Sequence, residues 1–415
     1  MRRDYFFTFL TQLVVLISGF LLFRLSVDYF GENGFSEYAL SKRTASFLIP
    51  ALSMGFGVGI PRFIAYAHAV KGKKNPDAPF IIALLINTGV LLIFSAIFNV
   101  FAKSFSLLCF GSPAYENLIF PITVMIFGNT LHSLVYSYYR GQLMMTRANI
   151  FQLLNMGLIP PMVFFWGMDD LDEILLCTGI MWTAVSFAFL MSILPKIRLS
   201  SISDTVFSSK GIVSYSLMRV PGDFAISGLM ALPAFITAYM VGTLEGGYVS
   251  FGISIMSMTG YFFAPISTIL LPKASQMIAG KKYDELKKHL KLIFFASMGI
   301  CIPGVLVLEV FSHQIIYLYL GMNSYVLSNI VRAIGLGIIP FVVYILLRSI
   351  IDARYRKPVN TVNIFISLVI FLLLSLLSML FHSGQMYYVI LGFVISVAYL
   401  GIASFTTVRS IFREV

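Results

Sequence analysis

Long apolar stretches follow one another from Tyr5 to Val408, separated by short polar joints. A bilayer helix needs about 20 mainly apolar residues. Twelve stretches meet that need, at approximately 5–27, 38–66, 79–102, 116–139, 149–167, 173–194, 213–241, 247–271, 289–311, 328–350, 360–381 and 386–408. The pattern predicts an all-α, polytopic membrane protein of about 12 transmembrane helices. Several stretches exceed a perpendicular crossing, which predicts tilt or extension beyond the hydrocarbon. The first begins directly after Met1-Arg2-Arg3 and has no small-residue cleavage site, so it is expected to remain as an uncleaved helix. No joint is long enough for a soluble domain. The longest polar joints lie around Lys196–Lys210 and Lys273–Lys291. Within the second, Gly280-Lys281-Lys282-Tyr283-Asp284-Glu285-Leu286-Lys287-Lys288 is expected to form a short amphipathic helix at the interface.

Composition agrees: the chain is 58% hydrophobic and only 11% charged, with a mean hydropathy of +0.89. With an even number of spans and the N-terminus inside, the inner joints carry 24 of the 29 lysines and arginines. Only Arg24, Lys42, Arg43, Lys103 and Arg332 fall towards the outside. This bias puts both termini in the cytoplasm. The net charge of +11 then reads as topology and attraction to anionic lipid headgroups. Nucleic-acid binding would need a folded basic domain, for which there is no room. Cys109, Cys177 and Cys301 form no CxxC pair and read as small apolar packing residues.

The two halves repeat weakly at an offset near 210 residues. Phe110-Gly111-Ser112-Pro113-Ala114-Tyr115 recurs as Leu320-Gly321-Met322-Asn323-Ser324-Tyr325. Ile60-Pro61-Arg62 with Gly72-Lys73-Lys74 is echoed by Leu271-Pro272-Lys273 with Gly280-Lys281-Lys282. Glu32-Asn33-Gly34-Phe35 matches Glu245-Gly246-Gly247-Tyr248, and Arg140 with Arg147 matches Arg348 with Arg354. Six spans is an even number, so both halves enter from the same side as parallel repeats. Two six-helix bundles, residues 1–200 and 201–415, are expected, and such bundles rocking about a central site form a transporter architecture.

Three segments carry a family resemblance. The first runs from Gly31-Glu32-Asn33-Gly34-Phe35 to Ser53-Met54-Gly55-Phe56-Gly57-Val58-Gly59-Ile60-Pro61-Arg62-Phe63-Ile64-Ala65. The others are Tyr138-Tyr139-Arg140-Gly141-Gln142 and Tyr215-Ser216-Leu217-Met218-Arg219-Val220-Pro221-Gly222-Asp223. They resemble the multidrug/oligosaccharidyl-lipid/polysaccharide exporter (MOP) superfamily, in its polysaccharide-transport branch of O-antigen-type lipid-linked oligosaccharide flippases. The resemblance spans the full length and includes no catalytic signature. It implies a two-bundle, twelve-helix fold and export of an undecaprenyl-diphosphate-linked glycan across the bacterial inner membrane.

A flippase must carry a diphosphate and several sugars through a low-dielectric slab while the polyprenyl tail stays in lipid. A barrier of about 25 kcal/mol would mean roughly days per crossing. A wet, cationic cleft is therefore expected. Arginine suits a diphosphate because its planar fork pairs hydrogen bonds and stays charged. Arg24 with Asp28, Arg219 with Asp223 and Arg348 with Asp352 each stand at i and i+4 on one helix face. They read either as cleft arginines held by aspartates, or as side chains snorkelling at span ends. Pro221-Gly222 inside the second pair is a break that can open backbone towards a cavity. Lys42-Arg43, against the charge rule, reads as an exposed outer mouth or as cationic lining; Arg332 divides the same way. The candidate diphosphate-binding residues are thus Arg24, Lys42, Arg43, Arg219, Arg332 and Arg348, with Asp28, Asp223 and His132 as candidate charge-holding or coupling groups.

Bland readings stand beside several other features. His132 either relays protons or sits neutral, bonded to a hydroxyl such as Thr130 or Ser133. Tyr136, Tyr138, Tyr139 and Tyr261 are candidates to stack on sugars, among many aromatics facing lipid. Gly55-Phe56-Gly57-Val58-Gly59 follows no strand, so its glycines read as sites of close helix approach or bending. No Walker-type motif is present, which excludes direct ATP drive by this chain. Asp169-Asp170-Leu171-Asp172-Glu173 lacks a second acidic cluster and reads as an outer loop. No metal site and no cofactor are expected. The expected partners are a lipid-linked oligosaccharide, membrane lipids and a coupling ion, H+ or Na+. A cation-coupled multidrug antiporter of the same architecture is the alternative, and its cleft should be net acidic. A membrane polymerase or ligase would need a large outer loop with catalytic groups, which this chain lacks, so no enzyme is expected.

Overall fold

The computed structural model describes residues 2–69, 77–196, 211–355, 357–381 and 385–413. Lys71, Lys73, Lys74, Arg198, Lys210 and Arg356 of the inner joints, and the Gly72-Lys73-Lys74 part of the repeat, lie outside them. Among the described residues the chain is helical, with no strand. In order, the helices are α1 (Arg2–Leu52), α2 (Phe56–Ala69), α3 (Ala78–Val100), α4 (Ala102–Phe110), α5 (Ile119–Gly141), α6 (Met145–Gln152) and α7 (Ile159–Phe164). They continue with α8 (Leu171–Ile193), α9 (211–217), α10 (Val220–Met240), α11 (Thr243–Ala279) and α12 (Tyr283–Leu320). The last four are α13 (Tyr325–Gly335), α14 (Ile338–Arg354), α15 (Val359–Phe381) and α16 (Met386–Ile411). The chain forms two compact units, Met1–Ser227 and Gly228–Val415.

Nine helical segments among the described residues are long and apolar enough to cross a membrane. All twelve predicted crossings are helical. The first and the start of the second are joined in α1, which breaks at Gly31 (φ 68°, ψ −163°), and the second continues in α2 beyond a turn at residues 53–55. The fifth is interrupted by a π-helical turn, Leu153–Leu158, between α6 and α7, and α11 carries the eighth. The expected amphipathic helix at Gly280–Lys288 is not a separate element. Lys281 (φ 56°) turns the chain, and α12 then runs unbroken through this stretch, burying Leu286 and Leu290 against α11 and α14.

One helix, α15, is inverted relative to a helix of a soluble protein. On α15 the buried positions include Asn360, Asn363, Ser367, Ser375 and Ser378, while Val369, Leu373, Leu376 and Leu380 are exposed. Ser367 Oγ donates to the Ser396 carbonyl of α16 at 2.7 Å. On this helix small and polar residues make the inward contacts and apolar ones face outward, as hydrocarbon surroundings allow.

Glycine sets the closest contacts of the first unit. A Cβ on Gly128 of α5 would lie 2.8 Å from the Gly179 carbonyl of α8. Gly55 and Gly59 press α2 against α9: added Cβ atoms would lie 2.4 Å from the Ser216 carbonyl and 2.2 Å from Ser216 Oγ. On the other side, the Gly57 carbonyl accepts from Ser137 Oγ at 3.1 Å. The glycine-rich run is thus a helix-packing seam, as its pattern suggested.

Candidate functional site

The Gly31 break decides what the first unit can gather. In one straight helix, Phe23 and Lys42 would stand about 28 Å apart at 1.5 Å per residue. Instead Lys42 Nζ lies 4.6 Å from the Phe23 ring centroid and 6.0 Å from that of Tyr38. Phe23 also packs edge-on against Tyr38 at 5.7 Å. Hence α1 folds back on itself as two antiparallel arms, and Lys42 comes to rest beside the segment that carries Arg24. A cation over an aromatic face gains about 0.5–2 kcal/mol, more as water is excluded. Arg24 Nε holds Asp28 Oδ2 at 2.8 Å, both groups being partly exposed. Arg43, next along the second arm, is buried at 7% exposure. Glu37, half-buried on the same arm, is an acidic group that span hydrophobicity did not single out.

Arg219 sits elsewhere. Phe47 meets Phe224 at 5.1 Å and Gly55 meets Ser216, so residues 216–224 run antiparallel to the second arm and Arg219 lies level with Leu52. That is about 13 Å along the arm from Arg43. Arg219 is exposed, at a turn where its own N–H bonds the Ser216 carbonyl and the Asp223 N–H bonds its carbonyl, both at 3.0 Å. Nearby, the Arg62 guanidinium lies 4.3 Å from the Tyr215 ring.

In the second unit the two expected cations have separate settings. Arg332 Nε on α13 lies 3.6 Å from Glu309 Oε2 on α12, an interhelical pair that i,i+4 spacing cannot reveal. Arg348 on α14 is exposed, and its carbonyl accepts from Asn360 Nδ2 at 2.9 Å. The same amide reaches Asp352 Oδ1 at 2.6 Å, so Asp352 takes Asn360 as a partner.

His132 anchors a buried polar nest inside the first unit. Its Nε2 lies 3.0 Å from Gln152 Oε1, and its Nδ1 lies 3.1 Å from Asn155 Nδ2. The ring stacks on Phe151 at 4.4 Å and on Tyr136 at 5.8 Å. Asn155 Nδ2 also donates to Ser186 Oγ at 2.9 Å, and Trp182 Nε1 donates to the Asn155 carbonyl. The expected hydroxyl partners on α5 are therefore corrected. Both ring nitrogens are taken by amides from the π-helical side, and Thr130 Oγ1 is buried without a hydrogen-bond partner. Gln152 and Asn155 escape sequence reading because they sit singly in an apolar span.

The tyrosines of the fourth span divide in role. Tyr138 and Tyr139 are buried in the core of the first unit, and Tyr139 Oη lies 3.2 Å from Ser192 Oγ. Tyr136 carries Arg140 over its ring at 5.6 Å. The side chain of Tyr261 lies outside the described ones. A cavity of about 250 Å³, lined by Tyr139, Arg147, Ile150, Phe189 and Ser192, opens at this end of the unit. Asp172 and Glu173 stand in the first turn of α8, where the helix dipole favours negative charge. Among the described residues no three His, Cys, Asp or Glu side chains converge on a metal-sized site.

A family model described as MatE matches residues 224–377, from the start of α10 into α15. Among curated proteins none matches the chain. Solved structures do match it in fold. An inward-facing multidrug resistance MATE family transporter of the MOP superfamily superposes with a TM-score of 0.75 at 15% identity, over 98% of this chain and 98% of that one. The lipid II flippase MurJ, in an inward closed conformation, gives a TM-score of 0.72 at 15% identity, over 99% of this chain and 88% of its own. A MOP superfamily transporter from Pyrococcus furiosus Vc1 (DSM3638), described by a reversed polarity of its binding pocket, gives 0.61 at 15% identity over 97% and 95%. At these identities the likeness is one of architecture. The chain is a multi-pass membrane protein with the all-helical fold of MOP-superfamily transporters.

Proposed function

We propose that this protein is a transporter that moves an undecaprenyl-diphosphate-linked oligosaccharide from the inner to the outer leaflet of the bacterial inner membrane. The carrying observation is the fold-back of α1 at Gly31, which puts Lys42 against Phe23, on the segment that carries Arg24, with Arg43 next along the arm. The same stretch carries three carboxylates, Asp28, Glu32 and Glu37, so its charges balance in sum and the cationic character is concentrated at the adjacent Lys42 and Arg43. A buried cation such as Arg43, at 7% exposure, is costly unless a counter-charge or water meets it, since a central arginine costs about 2.5–3.5 kcal/mol on insertion scales. A diphosphate fits that need. In this reading the halves 1–200 and 201–415 alternate access to the two sides, both termini stay cytoplasmic, and Arg219, Arg332 and Arg348 extend the cationic path. No catalytic step is required of the chain.

A second reading, a cation-coupled multidrug antiporter, is favoured by the MatE match and by the multidrug transporters among the similar structures. One pair of strains separates the two. In a bacterium depending on this gene for surface glycan, Arg24→Glu or Arg219→Glu should abolish glycan display while protein levels hold. In a pump-deficient, drug-sensitive strain, the wild-type chain should leave susceptibility unchanged. Normal glycan in both variants would refute the cationic path. Raised resistance to cationic drugs together with normal glycan in a deletion strain would favour the antiporter.

A further inference from the structure

The nest around His132 is wired so that only one ring atom can take up a proton. Asn155 Nδ2–H points at Nδ1, so Nδ1 is the acceptor and Nε2 carries the hydrogen donated to Gln152 Oε1. A proton added at Nδ1 would set two donors against each other across 3.1 Å. The acceptor that could relieve this is already there: Asn155 Oδ1 is buried with no hydrogen-bond partner. A half-turn of the Asn155 amide would bring it to Nδ1–H, and the Ser186 hydroxyl could then donate to the same oxygen.

Asn155 also sits within the π-helical turn, Leu153–Leu158. Ile159 N–H bonds the Leu154 carbonyl, five residues back, which is the π register. The fifth residue on from Asn155 is Pro160, which has no N–H, so the Asn155 carbonyl is left for the Trp182 indole. In the α register Ile159 N–H would bond Asn155 instead and displace the indole. Single π turns mark functional positions more often than chance, because the extra residue can be passed along or lost.

No neighbouring charge pre-empts the histidine. Residues 148–168 on the π-helical side, 174–195 of the α8 region, 78–100 of α3 and 5–23 of the first arm contain no Asp, Glu, Lys or Arg. On α5 itself Tyr136 stacks on the ring, with Arg140 on that tyrosine. Arg62 of α2 is engaged with Tyr215.

We propose that His132 is a proton-operated switch: protonation at Nδ1 turns the Asn155 side chain and drives residues 153–158 from π to α register, freeing Trp182. Its use in coupling transport to a proton gradient rests on the transport reading above; the switch itself does not. Trp182 is one of two tryptophans, so replacing Trp166 with Phe isolates its fluorescence. The full-length W166F protein in lipid nanodiscs, without substrate, should show a one-proton change in Trp182 emission between pH 8 and 4.5. His132→Gln in that background should abolish it. A flat titration, or the same curve in His132→Gln, would overturn the switch. Should His132→Gln fail to fold, Asn155→Asp decides. A carboxylate there stabilises the imidazolium and should raise the midpoint by more than one pH unit, and an unmoved midpoint would equally overturn the proposal. Because no transport is measured, failure here leaves the transport reading untouched.

Discussion

Gly31 and Gly55 both hold a positive φ, 68° and 69°, for different reasons. At Gly31 an added Cβ meets nothing within 4 Å, so the glycine serves only the fold-back of α1. At Gly55 the added carbon would lie 2.4 Å from the Ser216 carbonyl, a backbone atom that cannot swing aside. The carbonyls freed at this second break are not wasted: Asn87 Nδ2 of α3 donates to the Leu52 carbonyl. Gly31→Ala should therefore cost only the conformational penalty, about 1–3 kcal/mol. Gly55→Ala adds a clash between α2 and α9 to a positive-φ penalty of its own and should cost more. Thermal unfolding of the two variants in one detergent gives the order, and equal losses would mean that α2 and α9 are not in close contact. Lys42 shows the same economy at a charged position, because the fold-back places its ammonium on an aromatic face.

Among the elements, the sequence repeat has a backbone counterpart. α4 ends at Gly111 (φ 76°), whose N–H bonds the Leu107 carbonyl, and α12 ends at Gly321 (φ 71°), whose N–H bonds Tyr317. Ten residues before each, the helix breaks, at Phe101 (φ −102°, ψ 31°) and Phe311 (φ −111°, ψ 16°). Just ahead of those breaks a polar bridge crosses to the next long helix. It is Asn99 to Thr123 at 3.1 Å in the first unit and Glu309 to Arg332 in the second. The second unit has thus put an ion pair where the first has a neutral amide. With Arg332 half exposed, that pair should be weak. A double-mutant cycle of Glu309→Gln and Arg332→Gln, read by thermal unfolding, should return a coupling of no more than about 1 kcal/mol. A coupling of several kcal/mol would mean the pair is sealed from water. The crossings were legible because a bilayer demands some twenty apolar residues at each, whatever the packing. The glycine seam was legible because Gly55, Gly57 and Gly59 have few other uses in a bilayer helix. The partners of Arg332 and His132 were not, since Glu309, Gln152 and Asn155 lie on other helices and helix pairing is set by side-chain shape. Asp352 illustrates the limit of local spacing, because Asn360 beyond the next turn reaches its carboxylate.

For the whole molecule, orientation decides what the cations on α1 can do. The charge bias puts 24 of 29 lysines and arginines inside, and leaves Arg24, Lys42 and Arg43 towards the outer face. On the flippase proposal, a diphosphate headgroup travelling outward would then meet these groups late, and their grip would have to be weak enough to release it. The partial pairing of Arg24 with Asp28 and the seating of Lys42 on Phe23 both soften that grip. In the opposite orientation the same cluster would form the cytoplasmic mouth, capturing the headgroup first, and tight binding there would favour uptake of substrate over its release. Cysteine labelling separates these cases. In a variant with Cys109, Cys177 and Cys301 replaced by serine, Asp170→Cys and Asn323→Cys should react with a membrane-impermeant maleimide in intact cells. Lys282→Cys should react only after permeabilisation. The reverse pattern would make Arg24, Lys42 and Arg43 a capture site, and charge reversal there should then abolish substrate binding itself, whereas at an exit it should block release.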